Sequence, residues 1–306
     1  MSILKQSLIN FINKLPYVRG LVKRLAYYKS VLFFPPEHYY SPIVSKEEVK
    51  DNEASIWEGE YIPEVKGIDL NLQEQQNLLK AFHAYILEFN FPAQTSDSAR
   101  YRLDNEFFRY HDAFILYAFM RHFSPRKIVE IGSGFSSALM LEVNEHYFQA
   151  TIDLHFIEPF PEERLTTFLQ KKRRAYSYTK KIQEVDASFF KMLHAKDILF
   201  IDSSHVSKTG SDLNYILFTI LPALEAGVII HFHDIFYPFE YPREWVYLGR
   251  SWNEAYLLRA FLMHNESYKI LYFNDAMTSL FPEKTKEIPI LSQSRGSSLW
   301  IQKVKA

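Results

Sequence analysis

The chain has no cysteine in its 306 residues. Disulfides, a thiolate nucleophile and cysteine-ligated zinc are thereby excluded. It also lacks an excess of either charge, with 35 Lys and Arg against 36 Asp and Glu. A chain built mainly for nucleic acid carries a basic excess over its binding domain, so nucleic acid is not an expected partner. No apolar run reaches the roughly 18 residues that span a bilayer, which argues against an integral membrane protein. Internal repeats and low-complexity tracts are missing too. What is present is the material of a large core: 47% hydrophobic and 16% aromatic residues, with 26 Phe and 20 Tyr, far from the composition of disorder. The length suits one α/β domain with an extension as well as two domains.

One local absence stands out. The first 36 residues hold Lys5, Lys14, Arg19, Lys23, Arg24 and Lys29 but no Asp or Glu, while Ile3, Leu4, Leu8, Phe11, Ile12 and Leu15 recur near helical spacing. The expectation is an amphipathic helix packed on the body or on a second subunit of a homo-oligomer. The alternative is a helix lying on a membrane surface. A cleaved signal is disfavoured, because polar residues interrupt the apolar ones and no small-residue cleavage site follows. The expected location is cytoplasmic, or peripheral at the inner membrane surface.

Periodicity divides the chain. Residues 1–50 read as helices closed by Phe34-Pro35-Pro36 and Ser41-Pro42, and helices are expected at 71–89 and from Asn105 to His122. From Arg126 strands alternate with helices, the pattern of parallel strands joined by helical crossovers. Strands are expected at 127–132, 151–158, 180–186, 197–203, 227–234, 269–273 and 298–303. Helices are expected at 135–147, 161–174, 187–194, 209–225 and 252–264. The fold class is therefore α/β: a doubly wound, Rossmann-like, mostly parallel sheet of seven strands with a helical N-terminal extension. Residues 1–100 form that extension and 101–306 the ligand-binding domain.

In such a sheet ligands bind beyond the carboxyl ends of the strands. The first strand runs through Ile128-Val129-Glu130-Ile131 into Gly132-Ser133-Gly134-Phe135-Ser136-Ser137, a turn whose glycines let a nucleotide-like ligand approach the backbone. The next strands end in Glu158, Asp186, Asp202 and His233-Asp234. Glu158 stands 24 residues past Gly134, a spacing that lets its carboxylate accept hydrogen bonds from ribose hydroxyls. NAD and S-adenosylmethionine both satisfy this much. Ser137 replaces the third small residue of the dinucleotide pattern, and Glu130 complements a cationic ligand better than a pyrophosphate, so a sulfonium cofactor is the better match. Alternatively, Glu130 caps the glycine turn and Asp186 is the N-cap of a helix over 187–194.

Residues 126–235 resemble the class I S-adenosylmethionine-dependent methyltransferases, with Glu130, Gly132, Ser133, Gly134 and Ser136 in the first cofactor motif and Glu158 as the ribose-binding acid. The resemblance implies that Asp186 contacts adenine and that Asp202 also borders the cofactor. Within that superfamily, Phe200-Ile201-Asp202-Ser203-Ser204-His205 and Gly227-Val228-Ile229-Ile230-His231-Phe232-His233-Asp234 resemble the methyltransferase domain 24 group. Sugar O-methyltransferases and cephalosporin-hydroxylase-like proteins are related to it. Ser203-Ser204 and Ala226-Gly227 depart from that group's usual glycines.

The resemblance implies O-methylation of a small molecule, with a saccharide or glycoconjugate in polysaccharide biosynthesis as the expected acceptor. A histidine can take the acceptor's proton; His205 is the first choice and His233 the second, with Asp202 beside them, while His231 is expected in the core. Metal-dependent relatives imply the alternative of Mg²⁺ held by Asp202 and Asp234. The aromatic loop 236–245 is expected to cover the acceptor or to pack the N-terminal helices, and Tyr101, Arg102, Asn105 and Tyr110 to close the cofactor pocket. The rival readings are an NAD-dependent oxidoreductase and a non-catalytic scaffold on the same fold.

Overall fold

Apolar residues, many of them β-branched, concentrate where the sheet is covered on both faces. Strands β1 (Lys127–Ile131), β4 (Ile198–Ile201) and β5 (Ile229–Phe232) are buried over nearly their whole length in the computed structural model, as parallel strands sandwiched between helices must be. The structure describes residues 15–57, 63–94, 100–161, 167 and 174–305. They fall into two compact units, one of residues 1–59 with 244–251 and the other of residues 60–243 with 252–306.

The first unit carries helices α1 (Pro16–Val31), α2 (Lys46–Asp51) and α3 (Glu53–Trp57). Ser45 caps α2 by accepting the Glu48 N–H, and the Tyr247 hydroxyl donates to the Glu53 carboxylate at 2.5 Å. Residues 1–14, where the first amphipathic helix is expected, lie outside the described residues.

The second unit holds the sheet. With β2 (Asp153–Ile157), β3 (Ala175–Tyr178), β6 (Tyr268–Phe273) and β7 (Leu299–Lys303) the order is β3-β2-β1-β4-β5-β7-β6. β7 runs antiparallel to both its neighbours and every other pairing is parallel. The seven-stranded, mostly parallel, doubly wound sheet expected from the sequence is thus the observed one.

Two helices seat it. In α5 (Tyr110–Phe123) ten consecutive residues, His111 to Met120, are buried, and Phe119 stacks on Trp300 of β7 at 3.9 Å. Helix α6 (Phe135–Phe148) follows the glycine turn directly. Helix α4 (Leu72–Phe82) also belongs to this body: Leu79 and Phe82 are buried in the core, and Gln75 accepts the Phe273 N–H at 2.8 Å. Of the stretch expected in the extension, helix α4 thus packs with the sheet, and the compact units divide near residue 59.

Three expectations need correction. The strand expected at 180–186 is instead β3 at Ala175–Tyr178, followed by a 3₁₀ turn at Ile182–Glu184. The helix over 187–194 is a 3₁₀ segment, Ala187–Met192. The helix over 209–225 is broken into α7 (Asp212–Tyr215), a π turn (Ile216–Ile220) and α8 (Leu221–Ala223). The helix expected at 161–174 falls almost wholly outside the described residues. Among the described residues no helix is long and apolar enough to cross a membrane.

Candidate active site

The chain reverses its direction of strand addition between β1 and β4, and the crevice at such a switch point is where doubly wound sheets bind ligands. A cleft of about 530 Å³ opens there, at the carboxyl ends of β1, β2 and β4. Ile131 and Gly132 line it from β1, Glu158 and Phe160 from β2, and Asp202 to Ser204 from β4; Lys181, Gln183, Lys208 and Asp212 close the far side.

Gly132 is required by the backbone. Its φ is +80° and a Cβ would stand 2.0 Å from the Asp202 carbonyl oxygen, so any side chain would force β1 and β4 apart. Gly134 differs, since a Cβ there would meet nothing within 4 Å. The space beside it is open. Glu158 closes the other wall: its two carboxylate oxygens accept the Ser133 N–H at 3.2 Å and the Phe160 N–H at 2.8 Å. A carboxylate has about four lone-pair sites, so two remain for a ligand in the cleft.

Behind the turn, Glu130 is fully buried and accepts hydrogen bonds from the hydroxyls of Ser136 and Ser137. Burial raises its carboxyl to about 8, against the lowering effect of those two hydroxyls. This acid ties the end of β1 to the first turn of α6.

Next to the cleft lies a cluster of buried charge. His205 follows β4 with φ at +59° and stands 4.2 Å from the Trp252 ring. Its Nδ1 is 2.7 Å from Glu254, and its Nε2 is 3.3 Å from Asp202 and 3.7 Å from Asp234. The His205 carbonyl accepts the N–H groups of Asn253 and Glu254, which fixes the start of helix α10 (Glu254–Leu262) and so the Glu254 carboxylate; α9 (Arg243–Tyr247) precedes it. Burial alone would lower the imidazole's pKa, but Asp202 and Glu254 overcome it and hold His205 well above its usual value. In return His205 and His233 keep Asp202 below its usual value despite burial. Burial raises Glu254, His205 opposing. The Asp202 side chain is 38% exposed and that of His205 7%, so Asp202 is the face this cluster shows to the cleft.

The cluster continues inward. The Ser297 hydroxyl donates to Asp234 at 3.2 Å, and Asp112 on α5 accepts from the Ser297 N–H, the Ser298 hydroxyl and Asn274.

A family model described as a methyltransferase domain matches residues 129–235. An uncharacterized protein of Archaeoglobus fulgidus is 36% identical over 181 residues, which cover 58% of this chain and 82% of that one. The matched segment of this chain is therefore a methyltransferase domain of the class I group. Among solved structures, the SAH-bound methyltransferase PaMTH1 of Podospora anserina is 15% identical, with 85% of this chain and 96% of that chain covered and a TM-score of 0.41. A DUF574 family protein of Streptomyces avermitilis is 10% identical, over 63% of this chain and 80% of that chain, with a TM-score of 0.34.

Within the methyltransferase domain, Gly132, Glu158, Asp202 and His205 converge on the cleft and its edge. Other expected residues sit elsewhere. Glu130 and Ser136 are spent on each other beneath the turn, so Glu130 does not offer its charge to a ligand. Ser133 contributes its N–H to Glu158. Asp186 is an exposed N-cap that accepts the Ser188 N–H at 2.8 Å; its bonds to Ser188 lower its pKa, and it does not line the cleft.

His233 is buried, its ring 5.3 Å from Phe108 and its Nε2 3.6 Å from Asp234. It lies behind the cluster and not at the cleft. His231 is a core residue, stacked on Phe200 at 3.7 Å and 2.9 Å from the Ser298 hydroxyl. The magnesium expected at Asp202 and Asp234 does not fit: the His205 Nε2 already approaches both carboxylates, and among the described residues no group of three or more ligating side chains is placed to hold an ion.

The loop aromatics Phe236, Tyr237, Phe239 and Tyr241 are buried, with Phe239 5.3 Å from Phe273, so they pack the body and do not cover an acceptor. Tyr101 and Asn105 are likewise buried, both engaging the Phe108 carbonyl. They brace the turn before α5. Sequence reasoning missed Glu254 as the partner of His205, and Asp112 altogether. A lone acid inside the apolar run of α5 was the available signal for the second.

Proposed function

We propose that this protein binds S-adenosylmethionine in the cleft and transfers its methyl group to a hydroxyl oxygen of a small-molecule acceptor, a saccharide or glycoconjugate. The observation that carries the reading is one cleft lined by Gly132, Glu158 and Asp202, with His205 held by Glu254 at its edge. Its size lies within the range of small-molecule and cofactor sites, roughly 300–1,000 Å³. When bound, such a cofactor would supply an activated methyl on a sulfonium, whose carbon would bond to the acceptor oxygen as its bond to sulfur breaks and S-adenosylhomocysteine leaves.

The chain's own part is to hold, orient and remove a proton. The two spare acceptor sites of Glu158 suit vicinal ribose hydroxyls, and the open space at Gly134 lets a ligand approach the turn. Glu254 accepts the Nδ1 proton of His205, which leaves Nε2 as the proton-accepting nitrogen beside Asp202. The acceptor hydroxyl meets the exposed Asp202 carboxylate, and its proton comes to rest on His205 Nε2, among three carboxylates that stabilise the imidazolium. The same carboxylates favour that protonated form at rest, so turnover requires the neutral fraction of His205.

Titration calorimetry with S-adenosylmethionine, S-adenosylhomocysteine and NAD tests the cofactor. Binding of the first two and not the third is expected; binding of NAD alone would make the protein an oxidoreductase, and binding of none a scaffold. Mass spectrometry of saccharide acceptors incubated with enzyme and cofactor tests the acceptor class by a gain of one methyl group.

A further inference from the structure

Helix α1 is a feature that the cleft leaves unexplained. It runs 16 residues, and from Tyr17 to Tyr28 every position is exposed except the half-buried Val18. Tyr17, Leu21, Leu25 and Tyr28 follow helical spacing along one face, with Val22 beside them, at exposures of 80, 43, 59, 58 and 46%. Arg19 and Lys23 project from the other side. The following turn exposes Phe33, Tyr39 and Tyr40 at 94, 88 and 68%. A helix this short is marginal in water without a partner for its apolar face.

We propose that α1 docks in the plane of an anionic lipid surface. The choice of occupant rests on charge. Residues 15–36 contain Arg19, Lys23, Arg24 and Lys29 and no acid, in a chain whose net charge is −1, so the positive charge is gathered where the apolar face is. A second copy seated on the same face would set these cations against their own kind. A lipid headgroup layer with negative charge complements them, and tyrosines and phenylalanines suit the boundary between headgroups and acyl chains. Each Lys or Arg near such a surface strengthens binding roughly five-fold, an effect that salt screens. The inference is independent of methyl transfer.

Co-sedimentation of the full chain with vesicles tests it. The chain should pellet with phosphatidylglycerol–phosphatidylcholine vesicles, more weakly at high salt, and should stay in solution with phosphatidylcholine alone. The double variant Leu21→Glu, Leu25→Glu should lose the binding, and Lys23→Glu with Arg24→Glu should weaken it more than ten-fold. These side chains are exposed, so circular dichroism should show both variants folded. No pelleting of the wild-type chain, equal pelleting with neutral vesicles, or unchanged binding by both variants would overturn the proposal. Sedimentation velocity without lipid adds a further check: a dimer dissolved by Leu21→Glu, Leu25→Glu would give the face to a second copy and overturn it as well.

Discussion

His205 is a residue whose usefulness and cost have the same source. Three carboxylates within 3.7 Å make its imidazolium stable, which suits the proton-accepting role proposed for it but depletes the neutral form that would receive the proton. The sign follows directly: with a folded pKa raised above the usual value, the neutral fraction grows as pH rises, and kcat should climb through an alkaline limb. Glu254→Gln removes one of the raising charges and should move that limb to lower pH by about one unit, a shift that a merely structural role for Glu254 would not produce. An unmoved limb would dissociate Glu254 from the chemistry. His205→Ala should lower kcat about 10²- to 10⁴-fold while calorimetry still detects cofactor binding; unchanged turnover would remove His205 from the mechanism. Glu158→Ala should act oppositely, weakening cofactor affinity roughly 10- to 100-fold through lost hydrogen bonds to a charged acceptor. Of this site, the sequence made legible the residues that end strands, because strand ends are ordered by topology. Glu254 was visible only as a polar residue at a helix start, since its partner is 49 positions away and no local pattern encodes that pairing.

At the scale of elements, the glycine turn is held from below. Glu130 with Ser136 and Ser137 joins β1 to α6 in a buried hydrogen-bonded set. A carboxyl raised from 4.5 to about 8 binds more protons folded than unfolded across that window, so its contribution to stability falls as pH rises from about 4.5 to 8. Glu130→Gln cannot ionise and should flatten this part of the curve, becoming less disadvantaged relative to wild type at pH 8.5 than at pH 6. Thermal melts at the two pH values measure it, and parallel wild-type and variant curves would show that Glu130 does not titrate there. The elements read best from sequence were those whose pattern reflects burial. β1, β4 and β5 are mostly apolar and buried over nearly their whole length because both their faces are covered, and they were found within a few residues. β3 was misplaced because it is an edge strand whose Ala175, Tyr176, Ser177 and Tyr178 are only partly buried or exposed, while Ile182 in the following turn is buried and imitates a strand. The π turn at Ile216–Ile220 leaves no trace in apolar spacing, since a helix with one extra residue keeps nearly the same face.

For the whole molecule, burial is distributed very unevenly. Among the described residues of 1–59, Val49 is the one buried hydrophobic side chain, whereas α5 alone buries ten residues in succession. Free energies of local opening follow packed apolar contact, from near zero for segments without a core up to the global value for central strands. Amides of α1 in the lipid-free chain should therefore exchange with solvent orders of magnitude faster than those of β1, β4 and β5, which should open only with global unfolding. Hydrogen exchange read by mass spectrometry resolves the two classes, and protection of α1 equal to that of β4 would reveal a packed partner for the helix. Saturating S-adenosylhomocysteine adds a second arm. A ligand that binds only the folded body stabilises it by about 2.7 kcal/mol at one hundred times its Kd, and because β1 and β4 exchange through global opening, their amides should slow by the corresponding factor of about 100. Slowing confined to the loops around the cleft, with none in β1 or β4, would mean that those strands exchange through local openings that ligand binding does not oppose.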